Sequence, residues 1–372
     1  MRDEKGNKMK FSILRSKFIE ALKPVQNIVA SKGSLPVLQN VMIDARGGDI
    51  KLTTTDLDIS IRSTVPCEVT EEGASTLPVK LLFNLISKAP EGKVEVEIDG
   101  SEQAVIRAGS ASYKLNGKPE SDFPKPGVED NSYDYTMPRQ TLQEMLRKTA
   151  YAASQDDTRR TLKGVLMSFK DSKLTMVATD GRRLALVERE MEFPKTSERD
   201  IVLPSKAVQE LQRLLSGEGD VKINVQNTRV SFNLGLVQIY SKLMDDAYPN
   251  YRQVIPTECN HTITVDRQLL LDALERASVM TMDEAHSTKL IFDANRLTVT
   301  SAASEIGEAK DEVPIKYAGE TIEIMFNPSY VMDPLKAIDD DEITINMNNG
   351  HSPTVIKCSI PFLYVLMPLR IN

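Results

Sequence analysis

Apolar and polar residues alternate in three short runs between Leu162 and Leu186, the pattern typical of β-strands that bury one face. A polar turn at 170–173 separates the first two runs, and Asp180 with Gly181 separates the last two. We expect both of these residues to have the positive φ angles of a tight hairpin. One such meander cannot bury its apolar face alone, and the chain contains it three times.

The repeat is visible as landmarks that recur in the same order. The strand pattern at 165–168 recurs at 41–44 and 290–293, a spacing of about 124 residues. Apolar residues at helical spacing precede each copy: Phe18, Ala21, Leu22 and Val25; Leu142, Met145 and Leu146; Leu270, Ala273, Leu274 and Ala277. A proline opens a second predicted helix after each copy: Pro78, Pro204 and Pro328. Three duplicated domains follow from this order.

Each repeat reads as strand, helix, strands, helix, strands, which predicts an α+β fold with two helices packed on an antiparallel sheet. In the first repeat we expect the helices near 17–30 and 80–87. The predicted organisation is an N-terminal extension and three domains: 1–8, 9–131, 132–257 and 258–372.

Composition limits the possible cellular location and functional class of the protein. The three cysteines, Cys67, Cys259 and Cys358, match no metal-ligand spacing, which favours reduced thiols and a cytoplasmic location. No apolar run approaches the length of a membrane span. The net charge of −7 argues mildly against a nucleic-acid binder. Lys and Arg recur on all the predicted helices, so a basic helical surface and ordinary helix solvation both remain open.

Reactive groups are sparse. The three histidines, His261, His286 and His351, are isolated, and phosphate-loop, hydrolase and zinc motifs are absent from the sequence. The acidic run 339–342 lacks calcium-loop spacing and is interpreted as a solvated turn. We therefore predict no catalytic residue, no metal and no cofactor. Two apolar stretches, 245–256 and 364–372, predict either an exposed binding cleft or a packed domain interface.

With these residues laid out, the chain resembles the β subunit family of bacterial DNA polymerase III, the sliding clamps. The resemblance extends from Met9 to Arg370 and rests on five motifs, at 35–40, 177–185, 248–252, 326–331 and 364–370. It implies a non-catalytic processivity factor for DNA replication that is associated with the nucleoid. In this family a head-to-tail homodimer closes six domains into a ring around duplex DNA, with helices inside and sheets outside. A basic lining and an acidic exterior would reconcile DNA binding with the negative net charge.

The resemblance also implies specific contacts. The residues that match DNA contacts of the family are Lys32, Lys80, Gln155, Arg159, Arg160 and Lys206. The residues that match the dimer interface are Tyr113 and Leu115 in the first repeat and Val279 and Met280 in the third.

A pocket for short linear peptides is implied between the second and third repeats. Its matching positions are Leu162, Thr179, Gly181, Arg183, Leu184, Pro249, Val254, Asn327, Tyr330, Val365, Leu366, Met367, Pro368 and Arg370. The implied partners are the replicative polymerase α subunit, the clamp loader, translesion polymerases, ligase and mismatch-repair proteins.

Four positions depart from the family pattern: Thr161, Arg182, Gln253 and Leu369. They leave the preferred peptide open, although the pocket itself is still expected. Two rival hypotheses are a three-lobed enzyme, which the sparse reactive groups disfavour, and an interaction scaffold that does not bind DNA. A dimer near twice 41.4 kDa is expected of a clamp.

Overall fold

The computed structural model describes residues 8–29, 35–124, 134–281, 287–303 and 307–369. The chain separates into two compact units. Unit 1 comprises Met1–Arg139 and Arg213–Leu243, and unit 2 comprises Gln140–Gln212 and Met244–Asn372. The predicted domain boundaries stay predictions, and the one at 131/132 lies outside the described residues, as does most of the extension 1–8.

The first repeat contains ten strands and two helices in the described residues. Its elements are β1 (Met9–Leu14), α1 (Arg15–Val25), β2 (Asn40–Arg46), β3 (Asp49–Thr55), β4 (Ile59–Pro66), β5 (Glu68–Glu71), β6 (Gly73–Pro78), α2 (Val79–Lys88), β7 (Lys93–Ile98), β8 (Gln103–Ala108), β9 (Ala111–Asn116) and β10 (Lys118–Pro119).

The second repeat has the same order with fewer strands. Its elements are β11 (Tyr135–Pro138), α3 (Arg139–Thr149), β12 (Gly164–Lys170), β13 (Lys173–Thr179), β14 (Arg183–Glu190), β15 (Arg199–Pro204), α4 (Ser205–Leu214), β16 (Asp220–Val225), β17 (Arg229–Asn233) and β18 (Val237–Lys242).

The third repeat matches the second element by element. Its elements are β19 (His261–Asp266), α5 (Arg267–Ser278), β20 (Thr288–Asp293), β21 (Arg296–Ala303), β22 (Gly307–Lys316), β23 (Ile322–Phe326), α6 (Pro328–Ala337), β24 (Glu342–Met347), β25 (Thr354–Lys357) and β26 (Phe362–Leu366). The predicted threefold repeat of two helices with antiparallel strands is confirmed.

Antiparallel sheets run through the repeat boundaries. In unit 1 a nine-stranded sheet has the order β10-β6-β2-β3-β4-β18-β17-β16-β11, and a five-stranded sheet has the order β5-β1-β7-β8-β9. In unit 2 a twelve-stranded sheet has the order β15-β12-β13-β14-β26-β25-β24-β19-β22-β21-β20-β23. The third strand of one meander therefore pairs with the last strand of the following repeat, as β4 with β18 and β14 with β26.

The cores are aliphatic, as the composition predicts. Every apolar helix position predicted to be buried is buried, from Phe18 in α1 to Ala277 in α5. Each helix buries one stripe because its apolar residues recur every three or four positions.

Two local predictions are wrong. Helix α1 ends at Val25 and does not reach residue 30, and Pro24 in its last turn weakens this end because a proline cannot donate to the helical ladder. In the predicted hairpin only Gly181 has a positive φ, of 86°. Asp180 acts through its carboxylate instead, since its Oδ1 accepts the N–H groups of Arg182 and Arg183 at 2.8 and 3.1 Å.

Candidate functional site

An apolar cluster lies where the second and third repeats meet in unit 2. Strand β14 pairs with β26, which places Leu184 opposite Val365. The cluster consists of Leu166, Val177, Leu184, Val202, Tyr251 and Val365, with Leu186, Met244, Tyr248, Ile255 and Leu363 packed against it. The predicted stretch 245–256 therefore packs on this sheet through its aromatic residues. The two alternatives for that stretch were an exposed cleft and a packed interface. Tyr251 is only 9% exposed and therefore belongs to a packed interface.

Exposed apolar side chains remain at the border of this cluster. Val254, Met367 and Leu369 are 49%, 43% and 36% exposed. Strand β26 ends at Leu366 because Pro368 has no N–H for further pairing. The N–H of Met367 donates to the carbonyl of Arg182 at 2.9 Å, and that of Leu369 to Met325 at 2.8 Å. The tail is thus fixed beside the sheet with apolar surface uncovered, as the sequence predicts.

Arg183 forms the polar centre of the site. Its Nε donates to Asp180 Oδ2 at 3.0 Å, and its Nη2 donates to the carbonyl of Tyr151 at 2.6 Å. Its Nη1 donates to Asp333 Oδ2, which joins the second repeat to α6 of the third. The guanidinium carbon lies 4.2 Å from the centroid of the Tyr330 ring, within cation–π range. The Arg183 side chain is only 10% exposed, so its charge is balanced by the carboxylates inside the protein.

The surroundings of Arg183 hold it charged. Burial alone would lower the pKa of its guanidinium, but the neighbouring Tyr364, Asp333 and Asp180 raise that pKa on balance. Burial also raises the pKa of the Tyr364 hydroxyl well above its ordinary value. That hydroxyl donates to the carbonyl of Tyr330 at 2.7 Å and ties β26 to α6.

Arg159 lies against the hairpin between β13 and β14. Its Nη1 donates to the carbonyl of Asp180 at 2.7 Å. A β-carbon on Gly181 would stand 2.7 Å from that nitrogen and would displace the end of the flexible Arg159 side chain, and the positive φ of Gly181 separately favours glycine. Arg159 was predicted from the resemblance as a DNA contact, and the sequence carried no signal for its place on this turn.

The predicted peptide positions lie in unit 2 and differ in exposure. Leu184, Val365 and Leu366 are at most 2% exposed and can only form a floor. The positions at least partly accessible are Leu162, Gly181, Arg183, Pro249, Val254, Asn327, Tyr330, Met367 and Pro368, and Thr179 is buried at 9%. Arg370 lies outside the described residues. Asp333 was missed, since no sequence pattern connects it with a partner 150 positions away.

The predicted DNA-contact positions are exposed where they are described. Gln155, Arg159, Arg160 and Lys206 are exposed in unit 2, and Lys80 is exposed on α2 in unit 1. Lys32 lies outside the described residues. Their role in DNA contact stays a prediction.

The predicted dimer positions differ in exposure. Strand β9 ends the five-stranded sheet, with Tyr113 partly exposed and Leu115 only 7% exposed. Val279 is 65% exposed just after α5, and Met280 is partly exposed. Leu115 therefore belongs to the core of its own repeat, whereas the Val279 side chain is exposed, and the role of both in a dimer stays a prediction.

Reactive chemistry is sparse in the part of the chain that the structure describes. No group of three His, Cys, Asp or Glu side chains there could hold a metal ion. Burial is the main factor that raises the pKa of the Cys67 and Cys358 thiols to about 11, so neither is a thiolate at neutral pH. In the same residues, no helix combines the length and the apolar character needed to cross a bilayer.

Comparison with known proteins covers nearly the whole chain. Sequence models of the DNA polymerase III β subunit match three segments: the N-terminal domain at 9–126, the central domain at 136–250 and the C-terminal domain at 252–370. The β sliding clamp of Chlamydia muridarum is 32% identical over 364 residues, which cover 98% of this chain and 100% of the relative. That of Caulobacter vibrioides is 31% identical over 372 residues, with the same coverage.

Solved structures agree with the sequence relatives. The sliding clamp of Bartonella birtlesii, crystallised bound to griselimycin, superposes with a TM-score of 0.93 at 32% identity and covers 98% of this chain and 100% of its own. The clamp of Bacillus subtilis has a TM-score of 0.94 at 28% identity, again over 98% and 100%. The three repeats, their order and their sheets all match, and the chain belongs to the DNA polymerase III β subunit family, the sliding clamps of DNA replication.

Proposed function

We propose that this clamp works as a head-to-tail homodimer that encircles duplex DNA and gives processivity to the replicative polymerase without catalysing a reaction itself. The observation that carries the proposal is the way repeats join: β4 pairs with β18, and β14 with β26. By this rule the third strand of each meander pairs with the last strand of the following repeat. Within the described residues, two strands have no such partner: β9, at the end of its sheet, and β22. Pairing β9 of one copy with β22 of another repeats the join between molecules.

The free edges of these strands support that pairing. Within the described residues β22 pairs with β19 only through Ile315 and Lys316, so Gly307–Pro314 has one unpaired side. Val279 and Met280 follow α5, which packs against β22. An unpaired edge is a template for another strand, and a head-to-tail contact that closes after two copies makes a ring.

Encirclement accounts for the charge. A ring stays on DNA by topology, so it needs only weak contacts to phosphates, and such contacts carry no sequence information. The proposed contacts are Lys32, Lys80, Gln155, Arg159, Arg160 and Lys206. A net charge of −7 is compatible with this function if those residues face the duplex.

The decisive experiment loads the protein onto nicked circular DNA with the cognate clamp loader. A ring should stay bound through a salt wash and should leave within seconds of linearisation with a restriction enzyme. Retention on the linear product would show that the protein binds DNA tightly without encircling it. Failure of a dimer to load would support the interaction scaffold that does not bind DNA. Bulky protein blocks at both ends of the linear DNA are the control, since they should restore retention.

We also propose that the cleft between the second and third repeats binds short linear peptides of the polymerase α subunit, the clamp loader, translesion polymerases, ligase and mismatch-repair proteins. The floor formed by Leu184 and Val365 and the exposed Met367 and Val254 support an apolar ligand. Burial of that surface contributes about 25 cal/mol per Å². Backbone groups at the hairpin and the tail would fix the direction of the peptide.

Deletion of residues 367–372 should abolish binding of a labelled polymerase peptide in a fluorescence-polarisation titration, because the cleft loses the exposed apolar side chains of the tail. The same protein should sediment as a dimer, since the proposed dimer strands are elsewhere. Unchanged peptide binding would contradict the assignment of the cleft.

A further inference from the structure

We infer that Asp333 is a positioning residue of the cleft: through its ion pair with Arg183 it holds the two walls at the separation that admits a peptide. This inference rests on the proposed peptide function and adds a residue outside the predicted lining. One wall is the hairpin between β13 and β14 in the second repeat, and the other is the first turns of α6 in the third.

The hydrogen bonds that the structure shows for Arg183 are made within the protein. Its three nitrogens donate to Asp180, Asp333 and the carbonyl of Tyr151, and its plane lies over the Tyr330 ring. A guanidinium has five N–H donors in a fixed fork, and these contacts use three of them. With only 10% of its side chain exposed, Arg183 contributes to the cleft chiefly by holding its walls.

Asp333 is the carboxylate partner of Arg183 that comes from the third repeat. Asp180 precedes Arg183 by three residues and belongs to the same hairpin, and Tyr151 also lies in the second repeat. The carboxylate of Asp333 lies one turn after Tyr330 on α6, so it fixes the helix that carries this aromatic ring. Loss of its carboxylate would weaken the attachment of this helix to the hairpin, would leave the hydrogen bond from the Tyr364 hydroxyl to the Tyr330 carbonyl in place, and would remove no proposed peptide contact.

The expected signature is kinetic. If only a fraction of molecules holds a competent cleft, the apparent affinity falls by that fraction. We expect Asp333→Asn to weaken polymerase-peptide binding about tenfold, mainly through a slower association rate, with the dissociation rate little changed. A residue that touched the peptide would instead speed dissociation. Asp333→Glu, which keeps the charge, should recover part of the association rate.

The test is stopped-flow binding of a fluorescein-labelled polymerase peptide to the full-length dimer. Asp339→Asn is the matched control, because it breaks another ion pair between the second and third repeats, that of Arg147 with Asp339. It should leave both rates unchanged. Thermal melting of each variant reports whether the fold is intact.

The outcomes separate the two proposals. No binding by the unmodified protein would overturn the peptide function itself. Normal binding by the unmodified protein and equal rates for Asp333→Asn would overturn only the positioning role. Equal losses in Asp333→Asn and Asp339→Asn would assign the effect to general loosening between the repeats and would also overturn it.

Discussion

At the scale of single residues, Leu57 shows how the repeat constrains the chain. It occupies the position in the β3–β4 hairpin that Gly181 occupies in the β13–β14 hairpin, with a φ of 81° against 86°. Both backbone N–H groups donate to a threonine hydroxyl two residues earlier at 3.1 Å, Thr55 in one case and Thr179 in the other. The turn is conserved between repeats although a left-handed conformation costs a non-glycine residue about 1–2 kcal/mol.

A pair of substitutions tests this strain. Leu57→Gly should be more stable to urea than Leu57→Ala by about 1 kcal/mol, because both lose the side chain and only alanine keeps the unfavourable β-carbon. Leu236 is 61% exposed and does not have a positive φ. At that position the order should reverse, with the glycine variant less stable than the alanine variant. The same order at both sites would contradict strain at Leu57.

At the scale of elements, ion pairs join helices of different repeats in unit 2. Arg147 on α3 donates from Nη1 to Asp339 Oδ1 at 2.9 Å, just after α6 ends. These hydrogen bonds from Arg147 are the main factor that lowers the pKa of the Asp339 carboxyl below its ordinary 3.8. The helices of neighbouring repeats are thus connected by charge as well as by the shared sheet.

This pairing predicts an acid-dependent contribution to stability. A carboxyl whose pKa is lower in the folded state stabilises that state above about pH 4, and the contribution disappears as pH falls through the folded pKa. Asp339→Asn should therefore lower the urea midpoint slightly at pH 7, and its difference from the unmodified protein should shrink as the pH falls below about 4. Asp341→Asn is the control, because the structure shows no ion pair for Asp341 in the described residues. A difference that stayed constant as the pH fell would contradict this cause.

The dimer contact is also an element-scale prediction. Val279→Asp should convert the dimer to monomer at micromolar concentration in sedimentation, because a charge would be placed beside the β22 edge. Leu236→Asp, at similar exposure on the β17–β18 turn, should remain dimeric. Leu115→Ala should differ from both, since a buried leucine supports its own repeat and its truncation costs about 2–5 kcal/mol of folding free energy.

At the scale of the whole molecule, topology and electrostatics make separate contributions. Lys80→Glu combined with Lys206→Glu should speed the loss of the clamp from linear DNA and leave retention on closed circles nearly unchanged, because encirclement survives the loss of phosphate contacts. Loss from linear DNA is followed by the fluorescence of labelled clamp over seconds, and retention on circles by gel filtration of loaded complexes, each at two salt concentrations. Equal losses on both forms of DNA would contradict a basic lining, and Lys80→Gln with Lys206→Gln separates lost attraction from added repulsion.

The sequence alone determined the repeat, the class of each element and the buried stripe of each helix, since these follow from hydrophobic periodicity along the chain. It also determined that Pro368 ends the last strand. It misjudged the end of α1 and the φ of Asp180, because a proline in the last turn and a side-chain acceptor both act at the level of single hydrogen bonds.

Only the tertiary structure decided which distant residues meet. Arg183 and Asp333 are paired through β14, β26 and α6, and Leu115 faces inward whereas Val279 faces outward. Periodicity specifies a face of an element, but the partner of that face depends on how sheets continue from one repeat into the next. Contacts between residues far apart in the chain are therefore properties of the fold.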